Sequence, residues 1–276
     1  MTRISCVSAL FMCLFFSFSA CKEDDTGDTV LLVSPDERIL LEPDEIFAFH
    51  ANLTANWETT GGTINASGLY TAPDVAGVFE VKATNPNNVQ NTVLRKVVVT
   101  PHAPLFKSIR EGGYVLYFRH TNATVGADNF NSTVPEWWKL CDQTVARQLS
   151  DAGRQEARDL GSAFKNLDCT FGKVIASEFC RCRQPAELME TGLALETSPA
   201  LTFTVYGEDG RYERTITLAN EQPISQRPIL FMAHSFPVNG PGPELLMGDM
   251  AVYQQQAGGS VQFVKVITLA ELVVLK

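Results

Sequence analysis

The alternation of hydrophobic and polar positions changes character twice along the chain. Residues 4–20 are almost unbroken apolar sequence. From 29 to 100 apolar and polar residues alternate with a period of two, as in Phe79-Glu80-Val81-Lys82-Ala83-Thr84, and turn-forming runs such as Asn85-Pro86-Asn87-Asn88 interrupt them. That pattern predicts an all-β segment. Beyond residue 106 the pattern becomes short, fully apolar runs separated by helical periods. The apolar runs of Tyr114–Thr121, Gly172–Ser177 and Arg227–His234 read as strands, and the first suits a strand buried in a parallel sheet. Between them, Ser150 followed by Asp151 opens a helix whose Gly153, Ala157, Leu160, Phe164 and Leu167 share one face. The expected C-terminal architecture over 106–276 is a three-layer α/β fold, a mostly parallel sheet with helices on both faces.

A length of 276 residues suits two domains better than one. Pro101-His102-Ala103-Pro104 reads as a stiff linker, with the boundary placed at 101–105 and an independent core expected on its C-terminal side. The formal net charge of −9 excludes a broad nucleic-acid footprint, so any anion site must be local.

Residues 1–20 carry Arg3, an apolar stretch and small residues before Cys21, the layout of a cleavable export signal. Phe18-Ser19-Ala20-Cys21 resembles a bacterial lipobox, which implies lipidation of Cys21 and a membrane anchor. Lys22-Glu23-Asp24-Asp25 within the tether 21–28 resembles the acidic signals that direct some lipoproteins to the outer face of the outer membrane, and a plain solvated spacer accounts for the same residues. The expected location is therefore the outer membrane, periplasmic or cell-surface facing. In that oxidising setting Cys141, Cys169, Cys180 and Cys182 are expected in disulfides, with the pairing open except that Cys180 and Cys182 stand too close to bond each other readily.

Trp57 followed by Gly61-Gly62-Thr63-Ile64-Asn65-Ala66-Ser67-Gly68-Leu69-Tyr70-Thr71-Ala72-Pro73 is similar to the signature of bacterial immunoglobulin-like domains. The resemblance implies a β-sandwich over 29–100 with Trp57, Tyr70 and Phe79 inside, serving as a spacer or adhesive unit.

The chemistry-bearing residues gather at strand ends. Tyr114–Phe118 ends in Arg119-His120-Thr121, and Ile229–Ala233 ends in His234; these are the only histidines between 106 and 276. Ligands bind at the carboxyl edge of such sheets, where both strands would deliver them. Arg181 lies where the strand ending at Ser177 turns into a helix, a junction whose free N–H groups already favour an anion. Trp137 and Trp138, in the loop after the first strand, are suited either to touching substrate or to anchoring the loop.

Taken in order, Arg119-His120, Leu149-Ser150-x-x-Gly153, Ser177-x-x-x-Arg181 and His234 resemble the histidine phosphatase (phosphoglycerate mutase-like) superfamily across the second domain. The resemblance implies His120 as nucleophile, Arg119 and Arg181 as phosphate ligands, and His234 as the second pocket histidine. It departs at Thr121, where the family has glycine; Thr121 is expected to border the bound phosphate with Arg119, Arg181 and His234. The implied reaction is hydrolysis of a small phosphorylated substrate through a phosphohistidine, with no metal or other cofactor. For the proton to the leaving group, Glu208 and Asp209 rank ahead of Asp249. The alternative is an inactive phosphate-binding or adhesion lipoprotein that keeps the pocket without turnover.

Overall fold

The strand Tyr114–Arg119 lies inside a six-stranded sheet whose order is Leu195–Thr197, Lys173–Ala176, Ile229–Ala233, Tyr114–Arg119, Met250–Gln255 and Val261–Ile267. The computed structural model describes residues 29–276 except 204, 208 and 209. The first four strands run parallel, and the last two are antiparallel additions at one edge. Those two pair antiparallel with each other because the turn at 256–260 is too short for the crossover a parallel neighbour needs.

Each central strand is apolar throughout because it feeds two cores. Leu116, Phe118, Leu230 and Met232 face one side, with Leu160 and Phe164 of the helix Asp151–Asn166, while Val115, Tyr117, Ile229 and Phe231 face the other, with Leu201, Phe203 and Ala219. The two-residue period of the strand, not any change in composition, divides these side chains. The predicted helix face holds, since Gly153, Ala157, Leu160, Phe164 and Leu167 are all buried.

The start of that helix explains the Leu149-Ser150-x-x-Gly153 spacing. Ser150 Oγ accepts the Gly153 N–H at 3.0 Å as the N-cap and donates to Asn122 Oδ1 at 2.7 Å, while Glu156 Oε2 accepts the Asn122 N–H at 2.8 Å. The helix is thereby fastened to the loop that follows His120. Gly153 permits the approach: a Cβ there would lie 2.0 Å from the Asn122 carbonyl oxygen. Gly153→Ala is expected to cost about 1–3 kcal/mol through overpacking, read as a lower midpoint in chemical denaturation, and to displace the segment 121–122.

The N-terminal strands form a four-stranded sheet (Ile39–Leu41, Asn88–Val99, Gly77–Asn85, Asn56–Thr59) and a three-stranded sheet (Ile46–Ala48, Leu69–Thr71, Thr63–Ile64). Both contribute to one core containing Phe49, Tyr70, Val81 and Val97, with Trp57 and Phe79 packed against it partly buried. Tyr70 is wholly buried, and its hydroxyl donates to the Gly61 carbonyl at 3.0 Å.

Residues 101–105 do not form the expected stiff linker. Pro104 occupies the first turn of a helix, Ala103–Arg110, where its missing N–H costs nothing and its fixed φ suits the helix. That helix buries Phe106 and Ile109 in a core that also contains Leu40 and Val98 from the β-segment, so Leu31–Lys276 makes one compact unit. His102 helps to lock the junction, receiving Lys265 Nζ on Nδ1 at 3.1 Å and donating from Nε2 to Glu271 at 3.0 Å. The proposed signal, Cys21 and the tether lie outside the described residues.

Candidate active site

His120 follows directly on its strand. Its backbone N–H donates to the Ala233 carbonyl at 2.9 Å, which continues the parallel pairing and places His120 beside His234. The two imidazoles meet edge to face with ring centroids 5.6 Å apart. Both are buried, and both line a cavity of about 140 Å³ together with Arg119, Arg147, Arg181 and Arg211, and the carboxylate of Asp128. That volume is several times the ~30 Å³ occupied by one water in the liquid. Four guanidiniums facing one carboxylate suit a tetrahedral oxyanion.

The protonation of His120 can be read from its partner. Its Nδ1 lies 2.8 Å from the Thr121 carbonyl oxygen, which can only accept, so Nδ1 carries the hydrogen and Nε2 keeps its lone pair. Burial, reinforced by Arg181, pushes this imidazole down to about 3. It is therefore neutral at physiological pH and competent as a nucleophile. His234 is likewise held well below its ordinary value by burial and then by Arg181 and His120. Ser177 Oγ sits 2.9 Å from His234 Nε2, and Tyr117 donates its hydroxyl to the His234 carbonyl at 2.6 Å, fixing ring and backbone together.

The depressed His120 value affects stability and rate differently. Between about 3 and the ordinary 6.5 the unfolded chain binds a proton at His120 that the folded chain refuses, so folding stability should fall as pH drops through that window. The acid limb of kcat/KM should nevertheless not report His120, since Nε2 remains unprotonated there. A pH–denaturation series beside a pH–rate profile checks both, and a His120 imidazole that titrated near 6.5 by NMR in the wild type would contradict the assignment.

Arg181 is the second residue of the helix Cys180–Leu188, only 4 % exposed, with its guanidinium 4.0 Å from the centre of the Phe179 ring. Its Nη1 donates to Asp128 Oδ1 at 2.8 Å. Burial lowers its affinity for the proton, but a guanidinium stays charged regardless. Arg119 gives one N–H to the Leu245 carbonyl at 2.8 Å and still reaches the cavity.

Of the other expected site residues, Thr121 contributes its carbonyl to His120 while its side chain is fully buried, and its hydroxyl lacks a partner among the described residues. It does not line the cavity. Glu208 and Asp209 lie outside the described residues. Asp249 is a structural carboxylate: Oδ2 accepts the Leu246 N–H at 2.8 Å and Oδ1 the Leu269 N–H at 2.9 Å. It holds the turn beside Arg119 instead of entering the cavity.

The cysteines divide differently from the expectation. Cys141 and Cys180 form a disulfide, whereas Cys169 and Cys182 are buried thiols, each pushed up to about 12 mainly by burial. The bond fastens the loop after the Trp137–Lys139 turn to the residue preceding Arg181. Trp137 is a core residue packed on Phe179 and Phe130, and Trp138 donates to Glu178 at 3.2 Å, so the pair anchors this loop.

Asp128, Arg147 and Arg211 were not legible as site residues. Asp128 sits in a polar loop, Arg147 just ahead of a helix cap and Arg211 at a helix start, and each looks like an ordinary surface charge until the loops fold over the sheet edge.

The chain matches no protein-family model, and no curated protein matches it. Solved structures similar to it include the protein histidine phosphatase SixA complexed with tungstate, at 21 % identity and a TM-score of 0.42, covering 58 % of this chain and 99 % of that one. Another is a putative α-ribazole-5′-P phosphatase from Escherichia coli, at 15 % identity and 0.41, covering 56 % and 97 %. A mycobacterial glucosyl-3-phosphoglycerate phosphatase follows at 13 % and 0.40, covering 57 % and 98 %.

Proposed function

We propose that the chain is a phosphomonoester hydrolase of the histidine phosphatase type, acting through a phosphohistidine on His120. The observation that carries this reading is a neutral histidine, its Nδ1 tied to a carbonyl, in a cavity walled by four arginines. His120 Nε2 attacks phosphorus while the guanidiniums neutralise the equatorial oxygens, and water then releases phosphate from the N–P bond. His234, held by Ser177 and Tyr117, borders the same charge. The test is hydrolysis of an aryl phosphate by the full chain.

The same proposal places the enzyme outside the cytoplasm, held at the outer membrane by lipid on Cys21, with the β-segment as an immunoglobulin-like spacer. Support for the anchor is the lipobox-like sequence alone. Fatty-acid labelling should disappear in Cys21→Ser, and label persisting in that variant would rule the anchor out.

A further inference from the structure

The geometry points to Asp128 as the proton donor to the leaving oxygen, an inference that rests on the phosphohistidine reading. Hydrolysis of an alkyl ester needs such a donor, because a bare alkoxide is a poor leaving group. Asp128 is the only carboxylate lining the cavity among the described residues. Asp249, the described alternative, has both oxygens committed to backbone N–H groups.

Asp128 is held for the task. Its Oδ1 accepts from Arg181 Nη1 at 2.8 Å and from the backbone N–H of Arg147 at 3.0 Å. Both contacts use the same oxygen, so Oδ2 can carry a proton without breaking either. Arg181 is one of the guanidiniums that would grip the phosphoryl group, so the carboxyl stands next to the reacting centre.

The proposed steps balance. His120 Nε2 forms the N–P bond as the P–O ester bond breaks; the electron pair goes to the ester oxygen, which takes the proton from Asp128 and leaves as alcohol. In the second step the Asp128 carboxylate takes a proton from water as its oxygen bonds to phosphorus, and the N–P pair returns to His120. Asp128 ends protonated, ready for another ester.

The experiment compares kcat/KM for glycerol phosphate, a poor leaving group, with that for p-nitrophenyl phosphate, which departs without a proton. This ratio covers steps only through loss of the leaving group, so hydrolysis of the phosphoenzyme does not enter. Asp128→Asn should lose about a hundredfold or more on the alkyl ester and about tenfold or less on the aryl ester. A purely positional role for the Arg181 contact would lower both equally, and equal losses, or none, would overturn the proposal. In the wild type, a series of aryl and alkyl phosphates should show rates only weakly dependent on leaving-group basicity; a steep dependence would also overturn it, even if the variant failed to fold. Wild-type protein that hydrolysed neither ester would remove the phosphatase reading itself.

Discussion

His120→Ala is expected to abolish turnover, with a loss on the order of 10⁵–10⁶, the scale seen when a covalent nucleophile is removed. Wild-type enzyme mixed with labelled substrate and quenched in alkaline detergent should carry phosphate in an N–P bond that survives alkali and is lost in acid, and the variant should carry none. The prediction follows from the tautomer: Thr121 takes the Nδ1 hydrogen, leaving Nε2 as the nucleophilic atom. Folding should survive, because the strand pairing depends on the backbone N–H donated to Ala233, which alanine keeps. The lost side-chain hydrogen bond amounts to about 1 kcal/mol. Label that persisted in His120→Ala would transfer the nucleophile to His234, its ring neighbour. A wild-type protein that binds phosphate but forms no phosphoenzyme would instead be a binding protein.

Arg181→Ala should lower kcat/KM about a hundredfold, near 3 kcal/mol, as does removal of one preorganised donor from other oxyanion sites. Two further effects separate this residue from a bulk positive charge. Arg181 is the second largest influence keeping His120 neutral, after burial, so the imidazole should take up a proton more readily in the variant, seen as an upward shift of its NMR titration. Asp128 would also lose its ion-pair partner beside the phosphate site. Arg181→Lys should restore only part of the rate, since an ammonium lacks the planar fork that binds two phosphate oxygens at once. Full rescue by lysine would reduce the role of Arg181 to charge alone.

The fold of the C-terminal half was largely legible because its signals are local. Apolar runs such as Tyr114–Phe118 and Ile229–Ala233 must be buried on both faces, and Ser150 with Gly153 marks a helix start whatever surrounds it. The same periodicity carried Arg119, His120, Arg181 and His234 to one sheet edge, since each is counted from a strand end. The junction at 101–105 was not legible: Pro104 is compatible with a stiff linker and with a first helical turn, and burial of Phe106 and Ile109 beside Leu40 and Val98 decides between them.

The loops were decided only in three dimensions. Asp128, Arg147 and Arg211 follow no period and no motif, and they become a site because the chain between 122 and 148 returns over the cavity. That return is fixed by contacts far apart in sequence, namely the Cys141–Cys180 disulfide, the Arg181–Asp128 pair and the seating of Trp137 on Phe179. Asp249 shows the converse, for its sequence position permitted a catalytic acid until its two oxygens were found on the Leu246 and Leu269 N–H groups. Sequence alone therefore determined the buried strands and the residues at their ends, because hydrophobic burial repeats with a fixed backbone period. Tertiary structure decided which loop charges face the cavity, because long-range hydrogen bonds and packing leave no regular trace along a chain.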